Sequence, residues 1–443
     1  MIPPKPAARA RRATLWRYWR MFREDILSAQ PAHLYRAKMA EFKTPWFRSY
    51  LVNELALVRQ VLIDRAGDFP KSDRVTRGLR PLLGRSVFVT NGDEWAHQRR
   101  IIDPAFEGGR VKESFPAMVE AALAAVDRIR PGAFDAEAMA SHATADVIFR
   151  SLFSRTIDDK VAAETYETFR AFQRTQPVAV ASALMPWLPV HHKRKARRAA
   201  GQLRGLIAQL VAERQAEIAA GKAPDDLATK IMTTPDPETG TAFSEAEMVD
   251  QVAIFFLAGH ETSASALSWA LYLMALYPDW QDRVAKEAEA LDRCDFALLS
   301  KLRISRDVFR ETLRLYPPVP MMVREATQQE RFRDRDVPRG AQLVISPWHL
   351  HRHEKLWDAP DEFDPSRWGT ENGKACQREA YIPFSAGPRV CTGAGFAMVE
   401  GVVLLSTLVR HFRFELVAGR DPVPVAHLTV RAKDGIWLRI SRR

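Results

Sequence analysis

Cysteine is scarce in this chain: Cys294, Cys376 and Cys391 are the only three among 443 residues. So few exclude a disulfide-built scaffold and suit a reducing, cytoplasmic setting. None falls in a CxxC or CxxCH spacing, which disfavours a zinc ribbon and a covalently attached c-type haem. Internal repeats and long low-complexity linkers are absent. No zinc-finger or RNA-binding signature accompanies the net charge of +11, so nucleic-acid binding is not expected. Acids are missing from residues 1–23, which hold Lys5, Arg9, Arg11, Arg12, Arg17, Arg20 and Arg23, and most of the surplus sits there. A secretory signal would need an apolar run after those charges, and arginines keep interrupting it.

What is present is ordinary globular material: 47% hydrophobic and 27% charged residues, enough for a large buried core. Leu15, Trp19, Phe22 and Ile26 recur at helical spacing. They predict a helix within a basic N-terminal extension, residues 1–30. That helix either docks on the body or rests on an anionic membrane surface, and docking is favoured because a stripe at this spacing is usually core. The second basic cluster, His191–Arg198, reads as the solvated face of a helix. From Trp95 to about Tyr316 the pattern is mainly helical, with breaks at Pro131, 177–190, 221–225 and 233–243. From Arg324 onward, Pro, Gly and short apolar runs predict strands and loops, followed by a helix from about Gly395 to Phe412. Alternation around Asp434-Gly435 predicts a terminal hairpin. The class is mainly α with small β-sheets, organised as one domain over 1–443.

The clearest element is a helix from about Glu245 to Tyr277, opened by a Ser244/Glu247 capping box and stopped by Pro278. Some 33 residues at 1.5 Å each give a rod of roughly 50 Å, long enough to cross a whole domain. Ionisable residues at its centre, Gly259-His260-Glu261-Thr262, argue against a lipid-facing span.

Three constellations carry chemistry. In the first, Ala258-Gly259-His260-Glu261-Thr262, two small residues let something flat approach the backbone. Thr262 can bond the Ala258 carbonyl and open the helical ladder. Ordinary close helix packing explains the same glycine. In the second, Glu311 and Arg314 share one helix face, and Arg367 follows in a Pro-containing loop. One carboxylate between two guanidiniums would make a satisfied buried network. The third is FSAGPRVCTG, residues 384–393, followed at once by a helix. Glycines, free backbone N–H groups and the helix's positive end all favour thiolate at Cys391. Such a thiolate suits an axial position of haem iron.

With these residues in view, the chain resembles a cytochrome P450, a haem-thiolate monooxygenase of the soluble bacterial type. The family's FxxGxRxCxG is matched by Phe384, Gly387, Arg389, Cys391 and Gly393. Its ExxR is matched by Glu311 and Arg314, with Arg367 downstream. Its [AG]Gx[DE]T is matched by Ala258, Gly259, Glu261 and Thr262, and its WxxxR by Trp95 and Arg99. The resemblance implies a mostly helical fold in which the long helix crosses above one b-type haem, with Cys391 as the iron ligand. It makes Trp95, Arg99, Arg324 and Arg389 the propionate-binding set. Phe384 would shield the sulfur, Ala258 and Gly259 would lie against the haem, and Glu311, Arg314 and Arg367 would hold the haem-binding core.

The implied reaction inserts one oxygen atom from O2 into a C–H or C=C bond. Thr262 would handle protons at the oxygen-binding face, with Glu261 linking it to solvent and His260 a satisfied polar contact. The distal pocket is placed among Val87, Phe88, Ile254, Phe255, Ala258, Val319, Met321, Met322 and Val323. Its apolar character implies a lipophilic substrate: a terpenoid, fatty acid or aromatic. The haem fold accounts for the whole length, so electrons are expected from a separate ferredoxin or flavodoxin with its reductase. No membrane anchor is expected and the chain is expected to be monomeric. A haem-thiolate sensor without turnover is the competing reading. The Glu261-Thr262 pair disfavours it, because a sensor does not need proton delivery.

Overall fold

The computed structural model describes residues 2–9, 14–43, 48–107, 109–173, 194–289, 295–426 and 428–443. The expected break at 177–190, the head of the basic cluster at 191–193, and Cys294 lie outside the described residues. So do the side chains of Leu15 and Trp19. The protein is mainly helical, with small sheets set at its edges.

The central helix begins as its sequence dictates. The Ser244 side chain accepts from the Glu247 N–H, and the Glu247 carboxylate accepts from the Ser244 N–H. Glu245 and Glu247 also place negative charge on the positive helix end. The rod runs from Glu245 to Leu276, but not as one uniform helix. Residues Phe256–His260 widen to a π turn between two α segments. The cause is local: the Thr262 hydroxyl donates to the Ala258 carbonyl at 2.5 Å, competing for the acceptor that an α turn would use. Beyond it, Glu261–Leu276 is buried nearly all round rather than amphipathic. Trp269 stacks on Tyr316 with ring centres 4.0 Å apart. Each fully buried leucine there contributes about 1.5–3 kcal/mol.

Helices Ala136–Phe153 and Ala394–His411 pack on this rod, Arg110–Arg128 packs on both of them, and all share its core. Gly401 shows how closely they approach: a Cβ there would lie 2.0 Å from the Phe309 ring of helix Arg303–Leu315. Among the described residues, Ala394–His411 is the helix long and apolar enough to cross a bilayer, and most of it is buried inside the protein.

A second core sits under a four-stranded sheet ordered Met39–Lys43, Arg48–Val52, Gln342–Ile345, Met322–Glu325. The middle pair is parallel and the flanking pairs antiparallel. The N-terminal helix spans Leu15–Glu24 and docks on this region. Tyr18 is buried against Phe42, with ring centres 4.5 Å apart, while Trp16 is 71% exposed.

The terminal hairpin is corrected. Gly435 does turn the chain, with φ +78°, but the strands on either side do not pair with each other. Val430–Ala432 pairs with Pro424–Ala426, and Trp437–Arg442 lies between Gly132–Asp135 and Phe412–Leu416. Ile436, Leu438 and Ile440 are driven into the main core, and that burial overrides the local turn preference.

Candidate active site

The two cores flank a cavity of about 1000 Å³ with Cys391 on its wall. The loop that carries Cys391 is held against the turn Gln60–Asp64. Gly387 has φ +70°, and a Cβ there would sit 2.0 Å from the Leu62 carbonyl oxygen, so neither its conformation nor its position admits a side chain. The Cys391 N–H donates to the Phe384 carbonyl at 2.9 Å, closing the loop before helix Ala394–His411 begins. Phe384 lines the cavity beside the cysteine.

Cys391 lies deep in the protein yet has an open side chain, because it faces the cavity rather than bulk solvent. Burial pushes the Cys391 thiol above its ordinary range, while the Gly393 N–H and the Arg99 charge favour the anion. A bound metal cation deprotonates a coordinating thiol outright.

One side of the cavity gathers cations. Arg389 stacks over Trp95 at 4.2 Å and donates to the Thr90 carbonyl and the Asn91 side-chain oxygen. Arg99 donates to Asp103 at 2.8 Å and to the Val390 carbonyl at 2.8 Å. Arg324 is only 6% exposed and makes a long bond, 3.4 Å, to the Val323 carbonyl. Burial pulls its pKa down to about 10, and burial with the neighbouring guanidiniums does the same to Arg389. Among the described residues no carboxylate pairs with Arg324 or Arg389. Buried guanidiniums without acids call for an anion, and their forks match carboxylates. A haem fits this set: Cys391 would hold the iron, while Trp95, Arg99, Arg324 and Arg389 would hold the carboxylates.

The opposite wall is the π turn. Ala258 and Thr262 both face the cavity. With its proton engaged by Ala258, the Thr262 oxygen presents lone pairs to the cavity. Gly259 also borders the space, but a Cβ there would come 2.5 Å from Ile148 Cδ1, so any side chain would require Ile148 of helix Ala136–Phe153 to shift.

Glu261 is buried. It accepts from the Thr429 hydroxyl at 2.7 Å and pairs with Arg431 at 3.2 Å, and Arg431 is 41% exposed. A chain of polar groups thus leads from the cavity wall to the surface. His260 bonds Ser141 at 2.8 Å and packs edge-on against Tyr166 and Phe169.

All nine residues of the expected distal pocket, from Val87 to Val323, line this one cavity. Glu311, Arg314 and Arg367 lie behind it. Arg314 forks onto both Glu311 oxygens at 2.8 and 2.9 Å, and Arg367 reaches the same carboxylate at 2.9 Å. The remaining guanidinium N–H groups donate to the carbonyls of His351, Asp358, Ala359, Pro360 and Glu362.

Sequence reasoning missed three things. Thr429 and Arg431 reach Glu261 across 168 residues or more, and no local pattern signals that. Lys71 lines the cavity beside the cation cluster without any motif. Glu400 was legible, as a lone acid in the apolar run AMVEGVVLL. It is fully buried and accepts from Ser263 at 2.6 Å.

The family description "Cytochrome P450" matches residues 33–438. Among curated proteins, the chain is 31% identical over 410 residues to cyclooctat-9-en-7-ol 5-monooxygenase of Streptomyces melanosporofaciens, covering 89% of this chain and 86% of that protein. It is 30% identical to cyclooctatin synthase of the same organism, over 92% of this chain and 89% of its relative. A cytokinin hydroxylase of Arabidopsis thaliana is 30% identical over 87% of this chain and 77% of its own length. A match across almost the whole chain, with a cysteine loop facing a glycine-threonine helix turn over one cavity, establishes that this protein belongs to the cytochrome P450 family and is a monooxygenase of that family.

Proposed function

We propose that the protein inserts one oxygen atom from O2 into a lipophilic small molecule, a terpenoid, fatty acid or aromatic, using a b-type haem held by Cys391. The haem supplies dioxygen activation at a thiolate-bound iron. Everything else is the work of this chain. The observation that carries the reading is the shared cavity: Cys391, Thr262, Glu261 and the apolar wall from Val87 to Val323 all border one space.

The wall orients substrate by shape and excludes water, as expected for a pocket lined mainly by apolar side chains. Thr262 holds a proton donor at its open lone pairs, and Glu261 passes protons inward from the Arg431 surface. A neutral, lipophilic substrate is favoured by relatives whose names specify cyclooctat-9-en-7-ol, an alkene alcohol by its name, and cyclooctatin. The residues expected as pocket include no cation to anchor a carboxylate. Arg9 and Lys71 do reach the cavity wall, but Arg9 bonds the Ala29 carbonyl and Lys71 lies among the guanidiniums that would take the haem carboxylates.

Electrons come from a separate ferredoxin or flavodoxin with its reductase, and the enzyme works as a cytoplasmic monomer and a single unit. Residues from Arg9 to Thr429 bordering one cavity support the single unit. The sensor reading keeps the fold but makes Glu261 and Thr262 purposeless.

The test is turnover with a surrogate ferredoxin system and a library of terpenoids, fatty acids and aromatics. A product carrying one added oxygen supports the reading. NADPH consumption without any oxygenated product throughout favours the sensor. A reduced, carbon monoxide-treated protein without the thiolate absorption band overturns both.

A further inference from the structure

We propose that Lys71 is a positioning residue that ties the haem carboxylates to the substrate-facing loop at Val87 and Phe88. The proposal rests on the haem-thiolate reading above.

The geometry is specific. Lys71 Nζ donates to the Phe88 carbonyl at 2.7 Å and to the Val87 carbonyl at 3.3 Å. Its ammonium lies 4.7 Å from the centre of the Phe88 ring. Its own backbone is pinned to the end of the same loop: the Lys71 N–H donates to Asn91 Oδ1 at 3.0 Å, and Asn91 Nδ2 donates to the Lys71 carbonyl at 3.1 Å. Asn91 Oδ1 also accepts from Arg389 at 2.8 Å, and the Lys71 backbone bridges to that of Arg324. Lys71 therefore stands between two groups that the sequence treats separately: the loop that bears Val87 and Phe88, and the guanidiniums that would bind the carboxylates.

Charge makes the link useful. Burial and the charges of Arg389, Arg324 and Arg99 all disfavour the ammonium form of Lys71. Among the described residues these four cations share one carboxylate neighbour, Asp103, which bonds Arg99. The two carboxylates of a haem would relieve that repulsion and restore the charge on Lys71. An ammonium has three hydrogens. Two already hold the Val87 and Phe88 carbonyls, and the third remains for a haem carboxylate. A charged Lys71 grips those carbonyls more strongly than a neutral amine. Cofactor binding thus firms the loop that shapes the substrate pocket.

The test compares wild-type holoenzyme with Lys71→Met and Lys71→Arg, by three measurements. These are the rate of haem transfer to excess apomyoglobin, amide hydrogen exchange over residues 86–91, and spectral titration with imidazole and with 4-phenylimidazole. For Lys71→Met we expect haem loss faster by about tenfold or more, the size of one charge-assisted hydrogen bond. Exchange at Val89 and Thr90 should rise with it. Binding of 4-phenylimidazole, which adds an aromatic ring to the iron-binding group, should weaken relative to imidazole, which tests the iron alone. Lys71→Arg should fall between wild type and Lys71→Met on all three. If Lys71→Met assembles poorly, Lys71→Gln keeps hydrogen bonding, drops the charge and is read the same way.

Faster haem loss with unchanged loop exchange would reduce Lys71 to a carboxylate ligand and overturn the coupling. A loosened loop with unchanged haem retention would reduce it to a strut and overturn it equally. A wild type without haem, or without the thiolate band, removes the parent reading itself. A wild type that carries both, matched by Lys71→Met in every measurement, overturns this proposal alone.

Discussion

The Ser263 hydroxyl donates to Glu400 at 2.6 Å, joining the central helix to the helix that follows Cys391. Burial pushes the Glu400 carboxyl up from 4.5 to about 8, outweighing the opposing Ser263 bond. The folded protein therefore holds a proton that the unfolded chain releases. Between those two values the folded state binds more protons, so stability falls as pH rises, by about 1.4 kcal/mol per pH unit at the steepest. Above pH 8 this contribution is flat. Glu400→Gln removes it. Urea unfolding of the two proteins should diverge in favour of the glutamine variant from about pH 5 to about pH 8. Parallel curves would mean that Glu400 is ionised in the folded state.

Thr262→Ala should leave haem content unchanged, because among the described residues the hydroxyl bonds the Ala258 carbonyl and otherwise faces the cavity. Its cost should appear in coupling. Product formed per NADPH should fall by about a hundredfold, the lower end of the range for loss of a proton-handling group, with peroxide or water taking up the difference. Thr262→Ser, which keeps the oxygen, should recover most of it. Unchanged coupling in the alanine variant would remove Thr262 from proton handling.

Much of this site was legible because its rules are local. The Thr262–Ala258 bond follows from four-residue spacing on a helix, and the capping box at Ser244 from a three-residue motif. Glu311 and Arg314 sit one turn apart, so their pairing needed only the helix. What was hidden depends on where distant segments meet. Thr429 and Arg431 find Glu261 because their strand pairs with Pro424–Ala426 rather than folding back at Gly435. Lys71 joins the cations because the segment before helix Asp73–Leu83 bridges to Arg324. Sequence shows the N–H groups and the charges near the Cys391 thiol but not the depth of its burial, which opposes them.

Removing the shared carboxylate should be severe. Glu311 stands between Arg314 and Arg367, and all three are buried. Glu311→Gln leaves two guanidiniums without their counter-charge, at a cost of about 3–5 kcal/mol. That is a large share of a domain's net stability, so the variant should express poorly and purify with little haem. Arg367→Lys keeps a charge but cannot reach Glu311 and the Asp358, Ala359 and Glu362 carbonyls together. It should be intermediate in both measures. A Glu311→Gln protein with normal haem content and normal urea midpoint would show that the pair contributes nothing to the core.

Gly259 has two candidate reasons to be glycine, and a double variant separates them. A Cβ there would meet Ile148 Cδ1 at 2.5 Å. Gly259→Ala should therefore destabilise by about 1–3 kcal/mol through overpacking, partly offset by the better helix propensity of alanine. Ile148→Ala alone should also destabilise, by about 2–5 kcal/mol, because it leaves a cavity. Combined, the two changes should cost less than their sum, since the new methyl occupies space that Ile148 vacates. An interaction of about 1 kcal/mol or more in urea unfolding is the expected signature of direct contact. Additive costs, together with weakened haem retention in both the Gly259→Ala single variant and the double variant, would instead place the constraint at the cofactor face of the π turn.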